Sequence, residues 1–391
     1  MAFLTEEDRK YRTPEDICAH LGDDYARFEG AIVPPIFQDS LFVRPTEVNG
    51  VTQSTNVYTR VSNPTTDIAE RKIAALEGGD GALCFSSGMG AISSAIMHCV
   101  TANCHVILLD SAYGCTLNFI KNYLHKKFNV EYTLVHGDSI DELKAAVRPN
   151  TKLIYLESPS SLIFRMQDLD AVAEIAHEHG IKTVIDNTYA TPLHQQPLKH
   201  GIDIVCHTAS KYMGGHSDIV AGVLVANREI IQSIQDNERG LLGSNMDPHQ
   251  AWLLIRGLRT LPVRLKRHGE NGAKVAEFLE NNPKILKVFY PGSATYDQPE
   301  LFNKYLTGRN GLMSFVPKGT PEQVKAFTQS LHYFQNGCSW GGFESLCVLL
   351  GNSDEGRAAG QPDNLVRIHV GMEDVNTLID DLKQALEKIP D

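Results

Sequence analysis

Residues 152–211 read KLIYLESPSSLIFRMQDLDAVAEIAHEHGIKTVIDNTYATPLHQQPLKHGIDIVCHTASK. Three short β-rich runs stand out in it: Lys152–Glu157, Thr183–Asp186 and Ile202–His207. Each is separated from the next by a stretch that reads as helix or turn, and each closes on a polar residue. Strands spaced by helices predict a mostly parallel sheet with both faces covered. Ligands of such sheets gather at the carboxyl ends of the strands. The polar residues cluster there.

The same rhythm extends outward. Ala82–Phe85, His105–Leu109 and Val130–Val135 precede the quoted stretch, and Ala221–Ala226 follows it, giving seven strands. Helical stretches such as Thr66–Glu77 and Gly90–Cys99 alternate with them. Residues 1–60 are richer in turn-formers and predict an extended arm with one short helix. Residues 61–256 form the main domain. A long helical region, Pro248–Leu279, leads into a smaller C-terminal α/β or α+β domain over 257–391. Its strands are expected at Lys287–Tyr290, Gly311–Val316 and Leu365–Val370, with helices at Pro321–Ser330 and Val375–Lys388.

Composition bounds the rest. The 391 residues are 42% hydrophobic and 21% charged, enough to bury a core. The net charge of −11 argues against general nucleic-acid binding, which needs an excess of positive charge. No apolar run reaches the ~20 residues that span a bilayer. The N-terminal MAFLTEEDRKYRTPED has no apolar core of a secretory signal. The eight cysteines are scattered with no C-x-x-C pair, so a reducing cytoplasm is the expected setting and no metal is expected. His177-Glu178-His179 is not H-E-x-x-H, and adjacent alternation does not put both histidines on one helix face.

The candidate chemistry sits at the strand ends. Lys211 follows the run that ends at His207, and desolvation there would make it a usable amine; a solvated surface lysine is the other reading. Asp186 closes KTVID behind Val184 and Ile185, at a depth where a carboxylate needs a partner. A protonated heterocyclic nitrogen is one such partner, and a helix cap or turn is the alternative. Ser86-Ser87-Gly88-Met89-Gly90 offers backbone N–H groups at a helix start, where an anion is favoured. It is neither a P-loop nor a dinucleotide fingerprint. Tyr113, three residues past Asp110, could stack on a planar group or pack as an ordinary aromatic.

In this order the pieces resemble the Cys/Met metabolism family of pyridoxal-phosphate (PLP) enzymes. The matching motifs are Tyr58-Thr59-Arg60-Val61-Ser62-Asn63-Pro64, Ser86-Ser87-Gly88-Met89, Tyr113-Gly114-Cys115-Thr116, Glu157-Ser158-Pro159, Asp186-Asn187-Thr188, Ser210-Lys211-Tyr212, Arg256-Gly257-Leu258-Arg259-Thr260-Leu261 and Arg367-Ile368-His369-Val370-Gly371. The resemblance implies the aspartate-aminotransferase-like fold type I and pyridoxal 5'-phosphate as cofactor. It implies that Lys211 holds the cofactor covalently, that Asp186 pairs with the pyridine nitrogen and that Tyr113 stacks on the ring. Gly88, Met89, Thr208 and Ser210 would hold the phosphate. Tyr58 and Arg60 would reach a phosphate in a neighbouring subunit, in a homotetramer with shared active sites. Ser339, Trp340, Arg367 and Tyr58 would meet a small sulfur amino acid, the Arg367 fork taking its carboxylate.

Two positions depart from the family pattern: Ser161 stands where many members carry Asn, and Thr208 and Ser210 exchange the usual Ser and Thr. Ser339-Trp340-Gly341-Gly342 resembles the cystathionine β-lyase branch, implying α,β-elimination of L-cystathionine. Tyr113-Gly114-Cys115-Thr116 resembles the methionine γ-lyases. Cystathionine γ-lyase or synthase activity, and a binding scaffold without catalysis, are the remaining alternatives. The joint presence of Lys211, Asp186, Arg60 and Arg367 argues against the scaffold.

Overall fold

The computed structural model describes residues 3–43, 46–48, 51–54 and 56–390. The N-terminal part carries a 3-10 turn at Glu7–Lys10, a helix at Pro14–His20 and a two-stranded antiparallel ribbon, β1 (Thr46–Val48) and β2 (Val51–Ser54). Residues 1, 2, 44, 45, 49, 50 and 55 of the expected arm lie outside the described residues.

The large sheet has seven strands: β3 (Gly81–Phe85), β4 (His105–Leu109), β5 (Glu131–Val135), β6 (Thr151–Glu157), β7 (Lys182–Asp186), β8 (Ile204–His207) and β9 (Gly222–Ala226). Their spatial order is β3-β9-β8-β7-β6-β4-β5. All pairs among β8, β7, β6, β4 and β5 are parallel, whereas β9 is antiparallel to both β3 and β8. The reversal follows from the connection. No crossover helix separates His207 from Gly222, so the chain returns beside β8 instead of recrossing the sheet.

Both faces are buried, as the apolar runs require. Leu83, Phe85, Leu224 and Ala226 join one apolar cluster, and their alternating neighbours Ala82, Cys84, Val223 and Val225 join another. Local signals set the helices between the strands. Helix Pro64–Glu77 starts on Asn63, whose side chain accepts from the Thr65 amide, and ends on Gly78 at φ +79. Helix Gly88–Cys99 is capped by Ser87, which accepts from the Gly90 amide at 3.1 Å.

A smaller sheet has the order β10-β11-β14-β13-β12, from β10 (Ile285–Phe289), β11 (Leu312–Pro317), β12 (Gln335–Asn336), β13 (Leu346–Leu349) and β14 (Val366–His369). It packs with helices Pro321–Gln329 and Val375–Leu386 around a third apolar cluster that includes Val288, Phe315, Phe327, Ile368 and Leu382. The expected long helical region over 248–279 consists of two helices, Pro248–Arg259 and Leu261–Glu280. Pro262 lacks an amide hydrogen and crowds the preceding turn, and Thr260 leaves helical geometry at ψ 2. Among the described residues, no helix is long and apolar enough to cross a membrane.

Candidate active site

The parallel strand ends converge. Glu157 ends β6, Asp186 ends β7 and His207 ends β8, and the chain then passes through Thr208, Ser210 and Lys211 before returning as β9. Glu157 and Asp186 are register partners, and so are Asp186 and Cys206.

Lys211 Nζ donates to Ser339 Oγ at 2.8 Å and lies 5.5 Å from the centre of the Trp340 ring. These residues sit in the loop between β12 and β13, so the two sheets meet at this amine. A Cβ on Gly341 (φ +85) would fall 2.6 Å from the Tyr212 nitrogen, so only glycine lets the loop lie against the Lys211–Tyr212 backbone. Burial lowers the Lys211 pKa, and the nearby Arg367 lowers it further. Tyr212, next in sequence, packs against Trp340, His268 and His369, and its hydroxyl accepts from the Gly311 amide at 3.0 Å.

Asp186 is 6% exposed. Its Oδ1 accepts from the Thr188 amide at 2.9 Å and from the Thr188 hydroxyl. The same hydroxyl accepts from the Thr208 amide at 2.7 Å, tying the β7 end to the β8 end. Burial raises the Asp186 pKa, opposed by both Thr188 bonds and by the charges of His207 and Lys211. His207 pairs with Glu77 at 2.9 Å, both fully enclosed, and Asn187 donates to Glu77 Oε1 at 3.4 Å while exchanging bonds with Gln195.

The Ser86–Met89 turn approaches from β3. A Cβ on Gly88 would lie 2.1 Å from Thr208 Oγ1, and one on Gly222 would lie 2.0 Å from the Ser87 carbonyl oxygen. Glycine at both positions brings the start of helix Gly88–Cys99 against Thr208. The Ser210 hydroxyl accepts from the Ala221 amide at 2.8 Å and donates to the Ala221 carbonyl at 3.3 Å. Tyr113 is 44% exposed, and its amide donates to Glu157 Oε2 at 2.6 Å. A hydrogen bond with Cys115, followed by burial, pushes its phenol up to about 12. Arg367, on β14, donates to the Cys338 carbonyl.

The expected residues do not all meet. Lys211, Ser339, Trp340 and Arg367 gather with Asp186, Thr208, Gly88 and Tyr113. Tyr58 and Arg60 instead contact each other, 5.7 Å from guanidinium to ring, and Arg60 donates to the Gly240 carbonyl. Among the described residues neither bonds to Lys211 or Asp186. Glu157, Thr188 and Tyr212 stand in the sequence motifs with no role expected of them. Glu157 had the same signal as Asp186, a carboxylate closing an apolar run. Among the described residues no group of three metal-ligating side chains occurs.

These residues fit a group with an aldehyde, a ring nitrogen and an anionic tail. Both described Asp186 bonds end on Oδ1, which leaves Oδ2 for a ring N–H. The Gly88 cradle and helix start suit an anion. Together the fold and the strand-end groups define a fold type I PLP-dependent enzyme.

Comparison narrows the class. Residues 15–387 match the profile of the Cys/Met metabolism PLP-dependent enzyme family, and the chain belongs to that family. It is 39% identical to an L-methionine gamma-lyase of Porphyromonas gingivalis, over 92% of this chain and 94% of that one. It is 38% identical to a cystathionine gamma-lyase of Bacillus subtilis, over 92% and 95%. It is also 38% identical to a cystathionine beta-lyase of Lactococcus lactis subsp. cremoris, over 94% and 97%. The crystal structure of metB from Corynebacterium glutamicum superposes with a TM-score of 0.91 at 35% identity, covering 97% of this chain and 99% of that one. The chain is therefore a member of a PLP-dependent enzyme family of Cys/Met metabolism.

Proposed function

We propose that the chain is a carbon–sulfur lyase whose main reaction converts L-cystathionine and water into homocysteine, pyruvate and ammonia. The observation that carries this reading is Lys211 Nζ held between Ser339 Oγ and the Trp340 ring, with Arg367 beside them. Pyridoxal phosphate, when bound, supplies an aldehyde for the amine and a ring that takes up electrons. Lys211 would hold the aldehyde, Asp186 the ring nitrogen and Tyr113 the ring face. Gly88, Met89, Thr208 and Ser210 would hold the phosphate. Arg367 binds the substrate carboxylate, and Ser339 orients the lysine amine. That amine, its pKa lowered by burial, takes the proton from the substrate Cα. Loss of the sulfur from the β-carbon then needs no further proton shift along the side chain.

A second reading, methionine γ-elimination, is favoured by Cys115 hydrogen-bonded beside Tyr113. Product analysis separates the two. Pyruvate and homocysteine from cystathionine support the first reading; 2-oxobutyrate and methanethiol from methionine, with cystathionine left intact, replace it with the second.

On the same reading the chain works as a homotetramer with sites shared by two subunits, in the cytoplasm. Support comes from Tyr58 and Arg60, which among the described residues bond to no strand-end group of their own chain. Exposed apolar residues in the arm, Ile32, Leu41 and Val43, and in the Leu241-Leu242 pair, offer surface for a second copy. The eight free cysteines suit a reducing compartment. Arm 1–60, cofactor domain 61–256 and C-terminal domain 257–391 complete the reading, supported at the last division by the separate C-terminal core.

A further inference from the structure

The strand register places two carboxyl groups side by side. Glu157 and Asp186 end parallel neighbours β6 and β7 in direct register, so both side chains leave the same face of the sheet, on backbones about 4.8 Å apart. Their exposures are 7% and 6%. Two ionised carboxylates that close and that dry repel strongly, and such a pair resolves by one member keeping a proton.

The groups facing the pair decide which one. Asp186 meets the Thr188 amide and hydroxyl from its own strand end, His207 from β8 and Lys211 from the following loop. Glu157 meets the Tyr113 amide from the β4 end and the Ser161 hydroxyl and amide from the turn after β6, with Arg367 of β14 in electrostatic range. The neutral Tyr155 phenol lies near both. The lysine and the histidine fall on the Asp186 side, and the strongest charge acting on Glu157 is Asp186 itself.

We propose that Glu157 is a positioning residue that carries a proton at neutral pH, bonded to Ser161 and to the Tyr113 amide, and so leaves Asp186 the single carboxylate facing the cofactor. A neutral carboxylic acid can make both bonds. Its carbonyl oxygen accepts from the Tyr113 amide, and its O–H donates to Ser161 Oγ, reversing the bond that the Ser161 hydroxyl donates to the ionised carboxylate. The acid thereby fixes the backbone from which the Tyr113 ring projects. Burial, then Asp186, raises the Glu157 pKa to about 8, in accord with this assignment. The inference deepens the reading of the site as a PLP site.

Glu157→Gln is the test, because a glutamine reproduces the neutral acid: its carbonyl accepts from Tyr113 and its amide donates to Ser161. Expected at pH 7 is pyridoxal phosphate affinity within about threefold of the parent, since no charge is removed. The parent's cofactor absorbance should show a transition near pH 8 that the variant lacks. A larger loss of affinity at pH 7, or a transition that survives in Glu157→Gln, overturns the proposal. The second readout is infrared spectroscopy of the apoprotein. A protonated-carboxyl band present at neutral pH, titrating near pH 8 and shifted in Ser161→Ala, is expected. The absence of such a band, or a band that Ser161→Ala leaves unmoved, overturns the proposal even where Glu157→Gln fails to fold. Failure to bind pyridoxal phosphate at all would defeat the cofactor reading, while the infrared band still decides the protonation of Glu157.

Discussion

The two sheets contribute to the site in different ways. The large sheet supplies its groups at strand ends, where backbone pairing fixes them. Glu157, Asp186 and His207 close β6, β7 and β8, and none is more than 7% exposed. The small sheet supplies Arg367 from within β14, and Ser339 and Trp340 from the loop between β12 and β13, where Phe343 is 55% exposed. Charges in the first region cannot move without breaking the sheet. Those in the second are held by a few bonds to a loop. On the proposed reading, changes in the large sheet act on the chemical step, and changes in the small sheet act on substrate binding.

Lys211→Ala should break the site most completely. We expect kcat to fall by about 10³-fold or more, with a folded protein by circular dichroism. Near-parental turnover would dissolve the comparison, since both sheets meet at this amine. Asp186→Asn keeps the shape but removes the charge, and about a 10²-fold loss of kcat with little change in KM is expected. A change confined to KM would mean that the strand ends bind substrate instead of setting the chemistry. Arg367→Ala should do the reverse. Loss of a charge-assisted bond predicts about a 10- to 10²-fold rise in KM for the amino-acid substrate, with kcat less affected. A fall in kcat alone would erase the distinction between the sheets.

The smallest effect concerns stability. Folding lifts the Glu157 pKa from 4.5 to about 8. Between these values the folded chain binds more protons than the unfolded one, so this residue makes stability fall as pH rises across that window. Glu157→Gln removes that contribution, and its melting temperature should decline less than the parent's between pH 5 and pH 8. Equal slopes would show that the strand-end carboxyls are not coupled.

The large sheet was legible because its strands are apolar runs closed by polar residues; His105–Leu109 appears in the structure with the expected bounds. The antiparallel direction of β9 was not, since the run Gly222–Ala226 looks the same whichever way it pairs. In the small sheet, β13 carries only Leu346–Leu349 between turn-rich segments and escaped notice. Helix Pro299–Tyr305 was missed for the same lack of a long periodic pattern. At the site, Lys211, Asp186 and Gly88 could be named from strand-end position and residue type. The Glu157–Asp186 pairing could not, because register is a property of two strands together. The Ser339–Lys211 bond was equally hidden, since 128 positions separate its partners.

Whether Lys211 holds the cofactor is read by peptide mapping after the chain is loaded with pyridoxal phosphate and reduced with borohydride. One pyridoxyl-modified peptide is expected, the one that contains Lys211, and no modified peptide from Lys211→Ala. Modification at a different lysine, or none in the parent chain, would contradict it.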